Sequence, residues 1–213
     1  MLKIYNTQMQ PLGKEDKKIV HQKGLWHKVF GGILYNPEQN TIYFQTIYPK
    51  ESYTFEREDY IDFAVGGHVE EDESIVDAGH REIIEELGFD IDEKDWSFLG
   101  IRICDADLSE TYKIKEFQYF YGLKTKNKLI DMDFSNSDGE IKSIIEVDIN
   151  EYLKLLTKEA SFVIANEMVV DKESRKGEYF SDIILMQNRI VPDYFKDKSV
   201  LEKILSVKSL MKE

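Results

Sequence analysis

The chain has 213 residues, a single cysteine and a formal net charge of −13. Its length suits one domain with room for an appendage, and 42% hydrophobic residues, with 12 Phe and 12 Tyr, supply a core and exclude wholesale disorder. The acidity excludes a duplex-binding surface, since it repels a phosphate backbone, but a small anionic substrate stays compatible wherever a cation reverses the sign locally.

The N-terminal stretch "MLKIYNTQMQPLGKEDKK" lacks the long apolar run of a signal peptide, and no window approaches a membrane span. Cys104 has no second cysteine to pair with, and it lies in the apolar run "LGIRIC" as a small core residue. Both features lead to the expectation of a cytoplasmic protein.

Two β-rich runs follow, at about 28–35 and 41–48, joined by the turn residues "NPEQN" into a predicted hairpin. "YIDFAVGGHV" carries a short apolar stretch into Gly66-Gly67. Over 74–87 the apolar residues Val76, Ile83, Ile84 and Leu87, with Ala78 beside them, recur at helical spacing. Asp72 or Ser74 is placed to cap the start of that helix, and Gly88 to end it. "WSFLGIRICDA" and "KEFQYFYGLKT" read as an antiparallel pair, "GEIKSIIEVDI" as a further strand and "NEYLKLLTKEA" as a helix. The aromatics of "FQYFYGL" suit sheet packing or a stacking surface for a ligand. Beyond 160, "FVIANEMVVD" and "YFSDIILMQNRIV" are apolar-rich without clear periodicity. "KSVLEKILSVKSLMKE" is an amphipathic helix by Val200, Leu201, Ile204, Leu205 and Leu210. The sum is an α+β arrangement around a mixed sheet.

The predicted helix carries an electrostatic anomaly. In "REIIEELGF", Glu82, Glu85 and Glu86 lie three and four residues apart, so they share a face and repel, each pair costing a few tenths of a kcal/mol in an isolated helix. Glu85 and Glu86 also stand near the helix C-terminus, where the dipole disfavours anions. A solvated acidic face would tolerate this. A hard divalent cation such as Mg²⁺ or Mn²⁺ among the carboxylates would reverse it.

Read outward, "GHVEEDESIVDAGHREIIEELGF" places Gly67, Glu73, Arg81, Glu82, Glu85, Glu86 and Gly88 at fixed intervals, with Ile83 and Phe89 at the apolar positions. This resembles, at every fixed position, the signature of the Nudix hydrolases, Gly-x5-Glu-x7-Arg-Glu-U-x-Glu-Glu-x-Gly-U, where U is apolar. The resemblance is clearest over about 28–155. It implies an α/β/α sandwich with a mixed sheet, taken here as 1–160; it does not account for 161–213, which is expected to be a C-terminal extension packing on that domain. It implies Mg²⁺ or Mn²⁺ held by Glu82, Glu85, Glu86 and the backbone carbonyl of Gly66. Glu82 would alternatively act as general base, Arg81 would orient a neighbouring carboxylate, and Glu73 would support the loop–helix geometry. Glu140, before "IKSIIEV", is the candidate for an additional acid. The implied reaction is hydrolysis of a diphosphate linkage in a nucleoside diphosphate derivative or a related small diphosphate.

Upstream, "VHQKGLWHKVFGGILYN" resembles the isopentenyl-diphosphate isomerase-like branch of the family. In the isomerases two histidines in this region are metal ligands, and His21 and His27 stand nearby. Isomerases also carry a catalytic cysteine after the first hairpin, where this chain offers only "IYPKESYTF". His27 is kept as an additional candidate beside a packing role against Trp26. His68 reads as a loop residue, His80 as a helix-packing residue, and "KTKNK" as a solvated loop. A diphosphate hydrolase is thus the first reading; a non-catalytic metabolite sensor and an isomerase are the alternatives. The leaving group is not written in these residues, because specificity lies in loops outside the signature. Residues 161–213 suit a lid, cover for a sheet edge or a homodimer contact, with the intrachain role preferred here.

Overall fold

The structure is a computed structural model that describes residues 1–49 and 60–212. The predicted acidic helix forms over Ile75–Leu87, α2 in chain order. Its start is a reciprocal capping box, in which Ser74 accepts from the Asp77 amide and Asp77 from the Ser74 amide. Ser74, not Asp72, is therefore the cap. Gly88 ends the helix at φ +79°, a left-handed conformation that glycine adopts without steric cost. Ile83 and Leu87 are fully buried, whereas Ile84, expected on the apolar face, is 43% exposed.

Eleven strands are described, and nine of them form one mixed sheet. A small N-terminal hairpin, β1 (Leu2–Tyr5) with β2 (Pro11–Glu15), stands apart from it. A short helix, α1 (Lys17–Lys23), follows and packs beside β8 (Tyr112–Lys124). The main sheet runs β11 (Gly177–Met186), β10 (Phe162–Val170), β9 (Ile141–Asp148), β4 (Thr41–Ile47), β3 (His27–Asn36), β8 and β7 (Trp96–Ser109). The β3–β8 pairing is parallel; the other ladders in this order are antiparallel.

The predicted hairpin is real but forked. β3 and β4 pair only at Tyr35–Ile42 and Asn36–Thr41, beside a turn in which Asn40 takes positive φ. Beyond that the two strands part, and the chain returns between them. β5 (Asp62–Phe63) pairs with β4, and β6 (Val65–His68) pairs with β3. The glycine-rich run thus forms a strand wedged into the sheet.

α2 covers one face, over Phe30, Leu34, Tyr43, Ile144 and Met168. On the other face, α3 (Ile149–Leu156) and α4 (Lys198–Leu210) pack over Ile33, Phe44, Phe63, Phe120 and Ile145. The architecture is the expected α+β, α/β/α sandwich. β10 and β11 extend the sheet from within 161–213, and their cross-strand pairs leave Phe162, Ile164, Ile184 and Met186 half exposed on one side. α4 buries Val200, Lys203, Ile204 and Val207; Leu205, read as apolar-face, is 46% exposed. Among the described residues no helix is long and apolar enough to cross a membrane. Most of "IYPKESYTF" lies outside the described residues.

Candidate active site and metal centre

The wedge strand and α2 bring the signature residues together. Gly66 donates its backbone N–H to Glu86 Oε2 at 2.9 Å, and Gln45 Nε2 reaches Glu86 Oε1 at 3.3 Å. Glu86 is 4% exposed, and burial, then the nearby Glu82 charge, push its carboxyl well above the usual range. Glu140 is close enough to Glu86 to add to that repulsion. Glu82 lies against Gly67, where burial first, then Glu85, raises its carboxyl to about 7 against the pull of Arg81.

Arg81 holds the rest of the cluster in a fan. Nε and Nη2 donate to the two oxygens of Glu73 at 2.6 and 3.0 Å, and Nη1 donates to Glu82 at 2.7 Å and to Glu85 at 3.1 Å. Its Nη2 also donates to the His68 carbonyl at 2.9 Å. The Glu73 hydrogen bonds hold that carboxyl below the usual range. The three helix acids do not all point one way: Glu82 and Glu86 turn inward to the glycine strand, while the Glu85 side chain is 44% exposed.

This donor set fits a hard divalent ion. It gathers three carboxylates around a single guanidinium, and burial raises the proton affinity of half-buried Glu82 and buried Glu86, a cost that a cation would relieve. Gly67 keeps the space: a Cβ there would lie 1.8 Å from the Glu82 carboxylate. Because that carboxylate is the free end of a side chain, Gly67→Ala is expected to swing it aside rather than unfold the protein. Turnover should fall about 100-fold while stability changes by less than about 1 kcal/mol, as kcat and a thermal melt would show.

A second cluster gathers four groups from four elements: His21 of α1, His27 of β3, His68 of β6 and Glu116 of β8, their ligand atoms within 4.8 Å of one another. The predicted loop residue His68 is instead the last residue of a strand, with its ring 5.1 Å from both other rings. His27 does not pack against Trp26, which stacks on Phe117 instead. His27 is 1% exposed, and its Nδ1 faces the Leu25 carbonyl at 2.9 Å, while His21 Nδ1 faces the Lys113 carbonyl at 3.1 Å. Carbonyls only accept, so each Nδ1 carries a proton and each ring turns its Nε2 into the cluster, where His21 Nε2 lies 3.0 Å from His68 Nε2. His27 Nε2 lies buried, 3.6 Å from a Glu116 oxygen, without a hydrogen bond. A lone pair facing a carboxylate is unfavourable unless a cation or a proton lies between them. Gln118 steadies the other Glu116 oxygen at 2.7 Å, as outer partners of metal ligands do. Burial pushes His21 down, toward the neutral form a ligand needs. Imidazole-rich sets suit Mn, Fe, Co or Zn better than Mg²⁺.

Sequence reasoning flagged His27 and, more weakly, His21, but not Glu116. The signal was the alternation Glu116, Gln118, Phe120, three residues on one face of a strand whose neighbours are apolar: a buried strand carboxylate needs a cation. His80 behaves as expected, lying 4.6 Å from the Trp96 ring and bonding Asp90 and Glu93.

Comparison with known proteins places these features in context. A family model for the NUDIX domain matches residues 25–166. An uncharacterized Nudix hydrolase of Clostridium acetobutylicum is 26% identical over 193 residues, covering 90% of this chain and 89% of that protein. Among solved structures, DR0079 of Deinococcus radiodurans is 22% identical with a TM-score of 0.43, covering 60% of this chain and 72% of that one. The Ap4A hydrolase of C. elegans is 14% identical with a TM-score of 0.38, covering 60% and 83%.

Proposed function

Because the chain belongs to the NUDIX domain family, we propose that it is a Mg²⁺- or Mn²⁺-dependent hydrolase of a diphosphate linkage in a nucleoside diphosphate derivative or a related small diphosphate. The observation that carries this reading is the pair of carboxylates, half-buried Glu82 and buried Glu86, held against Gly66–Gly67 with Arg81 joining Glu73, Glu82 and Glu85.

Glu82, Glu85, Glu86 and the Gly66 carbonyl would hold the ion. Once bound, it would neutralise diphosphate oxygens and lower the pKa of water. Glu82, whose carboxyl is poised at about 7 with no ion bound, also suits the role of base toward the attacking water. Arg81 fixes the directions of the Glu73, Glu82 and Glu85 carboxylates, and Glu73 ties that guanidinium to the loop before α2. Glu140, beside Glu86, would serve as the additional acid. The His21–His27–His68–Glu116 cluster would hold a second, transition-type ion, joined to the box through the His68 carbonyl and Arg81.

Hydrolysis is favoured over isomerisation because burial raises the Cys104 thiol to about 11, so it carries little thiolate at neutral pH. The test is a panel of diphosphates with Mg²⁺ or Mn²⁺, read by release of phosphate or monophosphate. The expected result is cleavage of one class. Tight binding of a diphosphate without cleavage would replace this reading with that of a metabolite sensor.

A further inference from the structure

A line of polar contacts runs across β7 and β8 from the start of α4 to the histidine centre. Arg102 and Gln118 are level with each other in the β7–β8 ladder, and Glu116, two residues before Gln118, is level with His27 in the β8–β3 ladder. Arg102 and Glu116 are both buried, and Gln118 stands between these opposite charges. Arg102 Nη1 donates to Gln118 Oε1 at 2.8 Å, and Gln118 Nε2 donates to Glu116 Oε2 at 2.7 Å. A guanidinium only donates and an ionised carboxylate only accepts, so these two neighbours fix which way the amide points. On its other side Arg102 Nε donates to Asp197 Oδ2 at 2.6 Å. Asp197 is the N-cap of α4, where its Oδ1 accepts from the Ser199 amide and hydroxyl.

This arrangement orients Glu116 without neutralising it. The guanidinium meets its counter-charge at Asp197, and a neutral amide is what touches the carboxylate. A direct Arg–Glu pair would set a fixed positive charge against the same oxygens that a metal ion needs. With Oε2 held by Gln118, Oε1 is the oxygen on the side of the cluster, 3.6 Å from His27 Nε2, itself buried and without a hydrogen bond. The donors and acceptors run head to tail from Arg102 to Glu116, so each bond polarises the next. The anchor of the line, Asp197, lies beyond the residues 25–166 that the family model matches.

We propose that Gln118 and Arg102, anchored by Asp197, are positioning residues for the histidine centre: they hold the Glu116 carboxylate in the rotation that a transition-type ion requires, and so set the affinity for that ion. This rests on the reading of the His21–His27–His68–Glu116 cluster as an ion site, and the test separates the two. Co²⁺ is titrated into the full chain with no diphosphate present, in a Glu86→Gln background that disables the box, and is followed by its visible absorption. Melts in EDTA set a temperature at which each variant is folded. The Glu86→Gln parent is expected to develop an absorption band that adding His27→Gln abolishes. Adding Gln118→Met should weaken Co²⁺ binding about tenfold or more and shift the band, because Glu116 is then free to turn. Adding Arg102→Lys, which keeps the charge but cannot hold Gln118 and Asp197 together, should weaken it about threefold, and this variant decides the matter should Gln118→Met fail to fold. An affinity within about twofold of the parent in either folded variant would overturn the positioning role and leave the ion site standing. A parent without the His27-dependent band would remove the ion site and the positioning role together, while the hydrolase reading, tested with Mg²⁺ on wild type, would be untouched.

Discussion

Glu86→Gln is expected to lower kcat about 1000-fold or more, roughly 4 kcal/mol of lost transition-state stabilisation, while the ion-free protein melts within about 3 °C of wild type. The two halves of this expectation have one cause. With no ion bound, burial raises the Glu86 carboxyl well above the usual range and so disfavours its charge, and a neutral amide of the same shape fits the same place. Glutamine still offers an oxygen to the Gly66 N–H. What it cannot offer is a negative charge to a cation. Steady-state kinetics on the cleaved diphosphate, with melts in EDTA, would read both halves. A variant that kept more than about a tenth of the wild-type kcat would remove Glu86 from the metal site.

In the absence of divalent ions, stability is expected to fall between about pH 5 and pH 7.5, by about 3 kcal/mol from Glu82 alone. The Glu82 carboxyl is raised from an ordinary 4.5 to about 7 in the folded state, chiefly by burial. Between those values the folded chain binds a proton that the unfolded chain does not, so the contribution is complete below the unfolded pKa and is lost as pH rises through the folded one. Glu86 acts in the same direction. His21, lowered by burial, opposes it, since its contribution grows as pH rises through its folded value; His80, raised by its acidic partners, adds to it. The difference between wild type and Glu82→Gln therefore isolates the carboxyl. Adding Mn²⁺ should reverse the trend, because an ion competes with protons for the same oxygens. Calorimetric melts from pH 5 to 8, with EDTA and with Mn²⁺, decide the matter; a wild-type profile in EDTA that rises with pH, or matches Glu82→Gln, would refute it.

The box was legible because its constraints are local. Capping by Ser74, the stop at Gly88 and the inward turn of Ile83 and Leu87 all follow from residues within one helix. The strands β7 and β8 were legible for the same reason. The histidine centre was not, because it depends on a parallel pairing that sets His27 level with Glu116 across about ninety residues of chain. His68 was misread because two glycines before it look like a loop, and only insertion between β3 and β4 makes them a strand. On α4 the spacing that places Leu205 on the apolar face is met in part, since Lys203 is drawn inside and Leu205 left outside. No propensity encodes a buried ammonium.

The forked hairpin has a kinetic corollary. The returning segment is tied at two points, β5 to β4 and β6 to β3, and the Gly66 N–H is held besides by Glu86, so Val65–Gly67 stays seated while β3 and α2 hold their places. Deuterium should enter those amides only as fast as it enters the innermost β3 amides, a single exchange unit. Whatever breathing admits a ligand and lets product depart has to come from the rim, and the glycine strand stays behind as the fixed anvil of the reaction.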